Sequence, residues 1–423
     1  MRKISIFFLS VICFLVNYTQ AQNTVPIYSL ILKGGHVIDA KNNINEIMDV
    51  AIQDGKIAKV AKDINPGTGK QIVNASGMYV TPGLIDLHTH VFYGTEPNHA
   101  YSNGSNSVMP DGYTFRAGVT TVVDCGSAGW KSFPLFKKNV IDRSQTRVLS
   151  FLNIVGEGMR GRDDFEQDIS DMDPKMSAKT ALENKDYVVG FKHAHFAKPD
   201  WTPIKKVVEA GSLANMPVII DLGGSEQPGG KVLLDDLFFK LLRPGDIYTH
   251  TFTDIARRDQ IVDPATKQLK PYIIPAQKRG IVFDVGFGGA AFDFSQAIPA
   301  IKAGFYPNTM STDLHTGSMN SAMKDMLNVL STFLAIGMDV QGVIARSTWA
   351  PAQVIKREEL GNLSVGSVAD IAVLNLRDGK FSFRDVANKR QEGTKRFECE
   401  MTVRGGKIVY DLNAISGNIN SSK

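Results

Sequence analysis

His88 and His90 end an apolar run, Thr81-Pro82-Gly83-Leu84-Ile85-Asp86-Leu87-His88-Thr89-His90. On a strand, side chains at i and i+2 share a side, so the two imidazoles would converge on one point. Imidazole suits zinc, copper, iron and nickel, and zinc is the first expectation for a hydrolytic site. His-x-His by itself is a short motif, and a surface or core pair fits it as well. Pro82 and Gly83 punctuate the start of the strand.

Three more strand-like runs end in a basic or metal-compatible group. Tyr187-Val188-Val189-Gly190-Phe191-Lys192 ends in lysine, Asp246-Ile247-Tyr248-Thr249-His250 in histidine, and Asn308-Thr309-Met310-Ser311-Thr312-Asp313 in aspartate. Parallel barrels collect their chemistry at the C-terminal ends of their strands. Together these residues resemble the amidohydrolase superfamily. The match is closest to its amidohydrolase/deacetylase branch, through Gly118-Val119-Thr120-Thr121-Val122-Val123-Asp124, Ser127-Ala128-Gly129, Pro244 to His250 and Ser311-Thr312-Asp313-Leu314-His315. The resemblance runs over roughly residues 28 to 412.

That resemblance implies a set of roles. His88, His90, Lys192, His250 and Asp313 would hold one or two divalent metal ions, zinc or alternatively manganese. Lys192 would do so as a carbamate bridging two ions, and its alternative is a lysine in a salt bridge at the barrel mouth. Asp313 would also be the catalytic residue, taking a proton from the activated water and delivering it to the leaving atom; its alternative is a helix N-cap. The implied reaction is hydrolysis of an amide or ester bond of a small acylated molecule. A cyclic-amide hydrolase, a dipeptidase, and a secreted binding protein without catalysis stay open beside it.

Three positions depart from the family pattern. The fifth run, Pro217-Val218-Ile219-Ile220-Asp221-Leu222-Gly223, carries Asp221 where a histidine is usual. We count Asp221 as a metal ligand, with a mononuclear site as the alternative. Ala194 stands where a basic residue is usual, and the seventh loop reads Gly286-Phe287-Gly288. The substrate contacts expected are His195, Arg160 in the loop Gly156-Glu157-Gly158-Met159-Arg160-Gly161, and His315; His193 should face the helix layer. Arg160 is a candidate carboxylate clamp, with plain surface exposure as its alternative.

The elements that must position these groups follow from patterning. The chain has 423 residues, is 43% hydrophobic and 21% charged, and carries a net charge of +4 without a basic block. This excludes a charge-driven nucleic-acid or membrane-surface binder and leaves a small-molecule substrate. Arg2 and Lys3, the apolar run Ile4 to Val16 and the small-x-small site Thr19-Gln20-Ala21 read as a signal peptide over residues 1–21. Export to a bacterial periplasm is therefore expected, with no stable membrane insertion after cleavage. Oligomeric state stays open. Cys125 and Cys399 are expected as free buried thiols, one disulfide being the alternative.

Candidate strands near 84–91, 119–124, 147–154, 187–193, 217–222, 246–251, 280–285 and 308–313 alternate with helix-like stretches such as Pro203 to Ala214 and Met319 to Ile336. This predicts an α/β protein, a (β/α)8 TIM barrel over residues 81–358. An open doubly wound sheet is the alternative, though no Gly-x-Gly-x-x-Gly follows an early strand. Hairpin signals at Gly34-Gly35, Asp54-Gly55 and Gly405-Gly406 mark short strands at both ends. Residues 22–80 and 359–415 are too short for separate cores and should join into one small β-sandwich. Residues 416–423 are expected as a disordered tail.

Overall fold

The computed structural model describes residues 27–161, 165–223, 233–255 and 258–417. The signal peptide expected over residues 1–21 lies outside the described residues, as do 418–423.

Both chain ends build one mixed sheet. Its strands are β1 (Leu30–Asp39), β2 (Ile44–Gln53), β3 (Lys56–Ala61), β4 (Ile72–Asn74) and β5 (Tyr79–Pro82) from the first end. After the central segment, β6 (Leu84–Thr89), β7 (Val119–Gly129), β8 (Arg147–Asn153), β9 (Val188–Ala194), β10 (Val218–Asp221), β11 (Ile247–Tyr248) and β12 (Val282–Phe283), the last end adds β13 (Ile371–Arg384), β14 (Arg390–Arg404) and β15 (Lys407–Asp411). The order is β15-β14-β13-β5-β1-β2-β3, with β4 beside β1. Two-residue turns make the hairpins. Asp54 and Gly55 have φ of 51° and 75°, and Gly405 and Gly406 57° and 78°, the left-handed pair that suits the twist of flanking strands. The two turns touch: a Cβ on Gly406 would meet Gly55 Cα at 2.7 Å. Glycine at these tips thus lets the two chain ends approach backbone to backbone.

The sheet has a core of its own, including Leu32, Val37, Val50, Ile52, Val373 and Met401. Its residues come from both ends, so neither end can bury this surface alone. Ser416 donates its N–H to Asp411 Oδ2 at 3.0 Å and accepts from Gln71 Nε2 at 2.9 Å. The expected tail is therefore ordered at its first residue.

The central segment forms a second sheet, β12-β11-β10-β9-β8-β7-β6, with every pair parallel. Sequence order runs across it without reversal, which rules out the doubly wound alternative, whose strand order must turn back. Ile85, Leu87, Val123, Cys125, Phe151, Val189 and Ile219 fill one face, together with Ala352, Ile355 and Leu360 from the helix Trp349–Val354 and the turn after it. Alternate residues such as Val122, Val188 and Ile220 pack on the other face with helical residues such as Ile204, Val207 and Ala210. Both faces are covered, as all-parallel sheets require.

Two expectations need correction, and the first leaves a seven-stranded parallel sheet in place of the expected closed (β/α)8 barrel. The eighth run, 308–313, is not a strand; it makes only isolated parallel bridges, Thr309 to Asp284 and Leu314 to Thr89. Side chains capture its polar groups instead. Asp86 accepts Thr312 N–H at 3.0 Å and Thr312 Oγ1 at 2.5 Å, and Asp284 accepts Thr309 Oγ1 at 2.7 Å and Ser311 Oγ at 2.6 Å. Asp313 then leaves the β region with φ of 51°. The helix expected from Met319 to Ile336 is divided into Thr316–Met319 and Met326–Ala335. Lys324 has φ of 63°, and Asp325 caps the second helix by accepting Asn328 N–H at 2.7 Å. The helix Thr202–Ala214 falls where expected.

The sheets are tied by polar contacts at named points. Asp370 takes Arg147 and, at 3.5 Å, Arg404. Thr402 Oγ1 donates to Phe115 O at 2.7 Å, and Ser331 Oγ accepts Phe397 N–H at 2.9 Å. Cys125 and Cys399 are both free and buried.

Asp49 is the buried anchor of the mixed sheet. Its carboxylate, 2% exposed, takes Lys33 Nζ at 2.5 Å, Gly34 N–H at 2.8 Å and Ile64 N–H at 2.7 Å. Burial pushes its pKa up, but these donors outweigh burial and hold it below the usual value. A depressed folded pKa means the stabilisation is complete above the unfolded value, near 3.9, and is lost as pH falls through the folded value. Asp49→Asn is expected to cost about 2 kcal/mol at pH 7, with the gap from wild type narrowing below about pH 4. Urea unfolding midpoints at pH 7 and pH 3 check this.

Candidate active site

The C-terminal ends of the parallel strands gather the chemistry. His88 lies on β6 and His90 just past it, Lys192 on β9, Asp221 at the end of β10, and His250 two residues beyond β11. Asp313 closes the irregular eighth run. His88 and Lys192 are fully buried, and Asp221, His90 and His250 nearly so. His195, His250 and Asp313 all have positive φ, 54°, 56° and 51°. Three non-glycine residues in the left-handed region at one site is strain of the kind that collects at functional centres.

Two donor clusters share His88. One ligand atom each from His88, His90 and Asp313 lie within 4.8 Å of one another, as do those of His88, Asp221 and His250. Asp313 Oδ1 is 3.4 Å from His88 Nε2 and 3.2 Å from His90 Nε2. Asp221 Oδ2 is 3.2 Å from His250 Nε2. Lys192 Nζ sits beneath, 3.2 Å from His88 Nε2, 3.3 Å from Asp221 Oδ2 and 3.3 Å from Cys125 Sγ.

Hydrogen bonds decide which imidazole nitrogen faces the centre. Thr249 Oγ1 donates to Asp284 Oδ2 at 2.8 Å, so it accepts from His88 Nδ1–H at 2.9 Å. His250 Nδ1–H donates to Gly286 O at 2.6 Å, because a carbonyl only accepts. His90 Nδ1 meets Ser127 Oγ at 3.0 Å. His88 and His250 therefore turn Nε2 inward. A histidine whose outer nitrogen is fixed by the scaffold is the arrangement a metal ligand needs. Burial, then the charge of Lys192, holds His88 well below the usual histidine range, so it stays neutral. Burial alone would raise Asp313 and Asp221, but the surrounding bases hold both below the ordinary carboxylate range. Inward-facing imidazole nitrogens beside two ionised carboxylates fit a divalent cation.

Above the donors lies a cavity of about 340 Å³. His90, His195, Asp221, His250, Asp313 and His315 all line it. His195 bridges two carboxylates, with Nδ1 2.7 Å from Glu166 Oε2 and Nε2 3.1 Å from Asp221 Oδ2. Burial would lower its pKa, but Glu166 and Asp221 raise it to about 9, so it is a cation at neutral pH. His315 Nε2 is 3.8 Å from Asp313 Oδ2, and His315, not Asp313, caps the helix Thr316–Met319.

Arg160 does not line the cavity. It pairs with Glu157 at 3.2 Å and stacks over Phe165 at 4.3 Å, which engages the guanidinium outside the site. His193 is buried, its Nδ1 without a partner among the described residues, and burial lowers its pKa to about 4. Sequence reasoning missed Arg258, which lines the cavity and places Nη2 3.2 Å from Asp221 Oδ1. It also missed Glu166, Asp284 and the Thr249 and Ser127 hydroxyls. Thr249 and Ser127 fall inside quoted motifs, a signal that could have found them. Arg258 and Glu166 stand in loops with no period to mark them.

Comparison with known proteins agrees with this geometry. The model of the amidohydrolase family matches residues 290–409. A deacetylase of Brucella anthropi is 30% identical over 364 residues, 84% of this chain and 86% of that protein. A deacetylase of Agrobacterium fabrum is 31% identical over 363 residues, 84% and 85% of the two chains. Among solved structures, an adenine deaminase superposes with a TM-score of 0.81 at 27% identity, covering 91% of this chain and 100% of its own. A dihydroorotase does so with a TM-score of 0.76 at 28% identity, covering 90% and 99%. With likeness running over most of each chain and a histidine–carboxylate centre at the strand ends, the chain belongs to the amidohydrolase family of metal-dependent hydrolases.

Proposed function

We propose that this centre hydrolyses the amide or ester bond of a small acylated molecule, with removal of an acetyl group as the leading case. The carrying observation is the convergence of His88, His90, Asp221, His250 and Asp313 beneath the cavity, with Nε2 of His88 and His250 turned inward. The relatives named deacetylases support the choice of acyl group. A second reading, cyclic-amide hydrolysis on the same residues, is supported by the likeness to a dihydroorotase. The parallel sheet, bridged at both edges by the eighth run, is read as the family's barrel, and the mixed sheet as its β-sandwich.

His88, His90 and Asp313 would hold one divalent ion, and Asp221 and His250 a second, zinc or manganese; the single Nε2 lone pair of His88 can serve only one of them. Such ions supply Lewis acidity, which makes water acidic and polarises a carbonyl. Asp313 moves the proton. Its surroundings keep it ionised, so at neutral pH it can accept a proton from the attacking water. As water oxygen bonds to the carbonyl carbon, the carbon–nitrogen or carbon–oxygen bond breaks, and Asp313 returns the proton to the leaving atom. His315 and His195 flank the cavity and orient the substrate.

Lys192 is read as a carbamate. The ammonium first loses a proton to solvent; the free amine then adds to carbon dioxide, forming a carbon–nitrogen bond as one carbon–oxygen π bond opens to a carboxylate, and the nitrogen releases a second proton to solvent. This replaces a buried ammonium, 3.2 Å from His88 Nε2, with an anion that two cations can share. Residues 1–21 are read as an export signal, which would take the enzyme to the periplasm.

Asp313→Asn is expected to lower kcat about 10³-fold against any acetylated substrate that the wild type cleaves, while metal content by elemental mass spectrometry stays within one ion of wild type. Unchanged kcat would remove Asp313 from the proton path. Lys192→Ala is expected to lose metal and activity together, and millimolar formate or propionate to restore part of both by supplying the missing carboxylate. Chelation should abolish turnover and added zinc or manganese should restore it; substrate cleavage by the fully demetallated protein would sink the metal-dependent reading.

A further inference from the structure

Asp221 is a carboxylate only 1% exposed, and its donor cluster meets that of Asp313 at His88. A buried charge is costly unless it is paired and hydrogen-bonded. Its two oxygens are held differently. Oδ2 is shared by His195 Nε2 at 3.1 Å, His250 Nε2 at 3.2 Å and Lys192 Nζ at 3.3 Å. Oδ1 takes Arg258 Nη2 at 3.2 Å.

Two of the three contacts at Oδ2 come from residues that the proposed function gives to the metal site. An ion shared by His250 and Asp221 would take the place of the close contact between them, 3.2 Å from Nε2 to Oδ2. A Lys192 carbamate would no longer offer an ammonium. The contacts that survive loading are His195 and Arg258, and only Arg258 acts on the oxygen that faces away from the donor cluster. Arg258 is itself only 6% exposed, so its charge also needs a fixed partner. Neighbouring Asp259 is already engaged by Lys270 and by Tyr272 OH at 3.2 Å.

We propose that Arg258 is a positioning residue for Asp221: its guanidinium grips Oδ1 and balances the carboxylate charge, so that Oδ2 alone is presented to a divalent cation. This rests on the reading of Asp221 as a ligand of the second ion. It has a chemical corollary. A neutral imidazole at 221 would need no counter-cation, so the requirement for Arg258 exists because an aspartate stands there.

The test is zinc stoichiometry by elemental mass spectrometry, and zinc affinity by competition with a chromophoric chelator, on the full mature chain supplied with bicarbonate. The proteins are wild type, Arg258→Met, Arg258→Lys, Asp221→His and the double variant Asp221→His/Arg258→Met. Arg258→Met should lose one of two zinc ions or bind it at least about tenfold more weakly, the range seen when a ligand's supporting partner is removed. The other ion should be retained. In the Asp221→His background the same substitution should change affinity by less than about twofold, which is the coupling a double-mutant cycle reads. Two ions of unchanged affinity in Arg258→Met would overturn the inference alone, as would an equal tenfold loss in the Asp221→His background. A wild type that holds one ion would overturn the reading of Asp221 as a ligand, and the role of Arg258 with it. If circular dichroism shows Arg258→Met unfolded, Arg258→Lys decides. It keeps the charge but loses the planar fork; weakening of about threefold or more supports the inference, and none overturns it.

Discussion

Asp284 holds the centre together from behind. It is fully buried just past β12 and accepts three hydroxyls, from Thr249, Thr309 and Ser311. Each bond fixes something further out. Thr249, with its proton committed to Asp284, can only accept from His88. Ser311, likewise committed, accepts Gly286 N–H at 2.9 Å, and Gly286 O receives His250 Nδ1–H. One carboxylate thus sets the tautomer of His88 through Thr249 and, through Ser311, holds the Gly286 backbone whose carbonyl receives His250. In a dry interior such a network is rigid when complete and costly when broken, because every orphaned group keeps its desolvation penalty.

The same logic explains why the eighth run is irregular. Asp86 and Asp284 satisfy its hydroxyls and an N–H that a ladder would otherwise have used. Freed from the sheet, the chain can turn into the left-handed region at Asp313 and swing its carboxylate over His88 and His90. The parallel sheet holds the other donors at strand ends, while its interior stays packed with apolar side chains down to the helix Trp349–Val354. The centre is therefore strained locally and supported by a stiff base, which suits groups that must not relax toward one another when charged.

Much of this was legible in the residues themselves. The order and type of the strand-like runs are local properties, set by apolar periodicity and by Gly, Pro and Asp punctuation. Seven of the eight runs in the central segment became strands for that reason. His88, His90, Lys192, Asp221, His250 and Asp313 stand at the ends of such runs, and a side chain at a strand end inherits its position from the strand. The hairpin turns at Asp54-Gly55 and Gly405-Gly406 were equally plain, since only certain residues tolerate their backbone angles.

The remainder required the chain to fold. That the eighth run would give up its ladder depended on two carboxylates distant in sequence, Asp86 by 226 residues from Thr312. That Arg160 would settle on Glu157 and Phe165, leaving Arg258 to face Asp221, depended on where two loops land, and loops carry no period to read. The sequence by itself determined which side chains reach the strand ends. Only the tertiary structure decided which nitrogen each histidine turns inward and which cation balances each buried carboxylate, because hydrogen bonds and charge pairs between distant segments exist only once those segments are packed together.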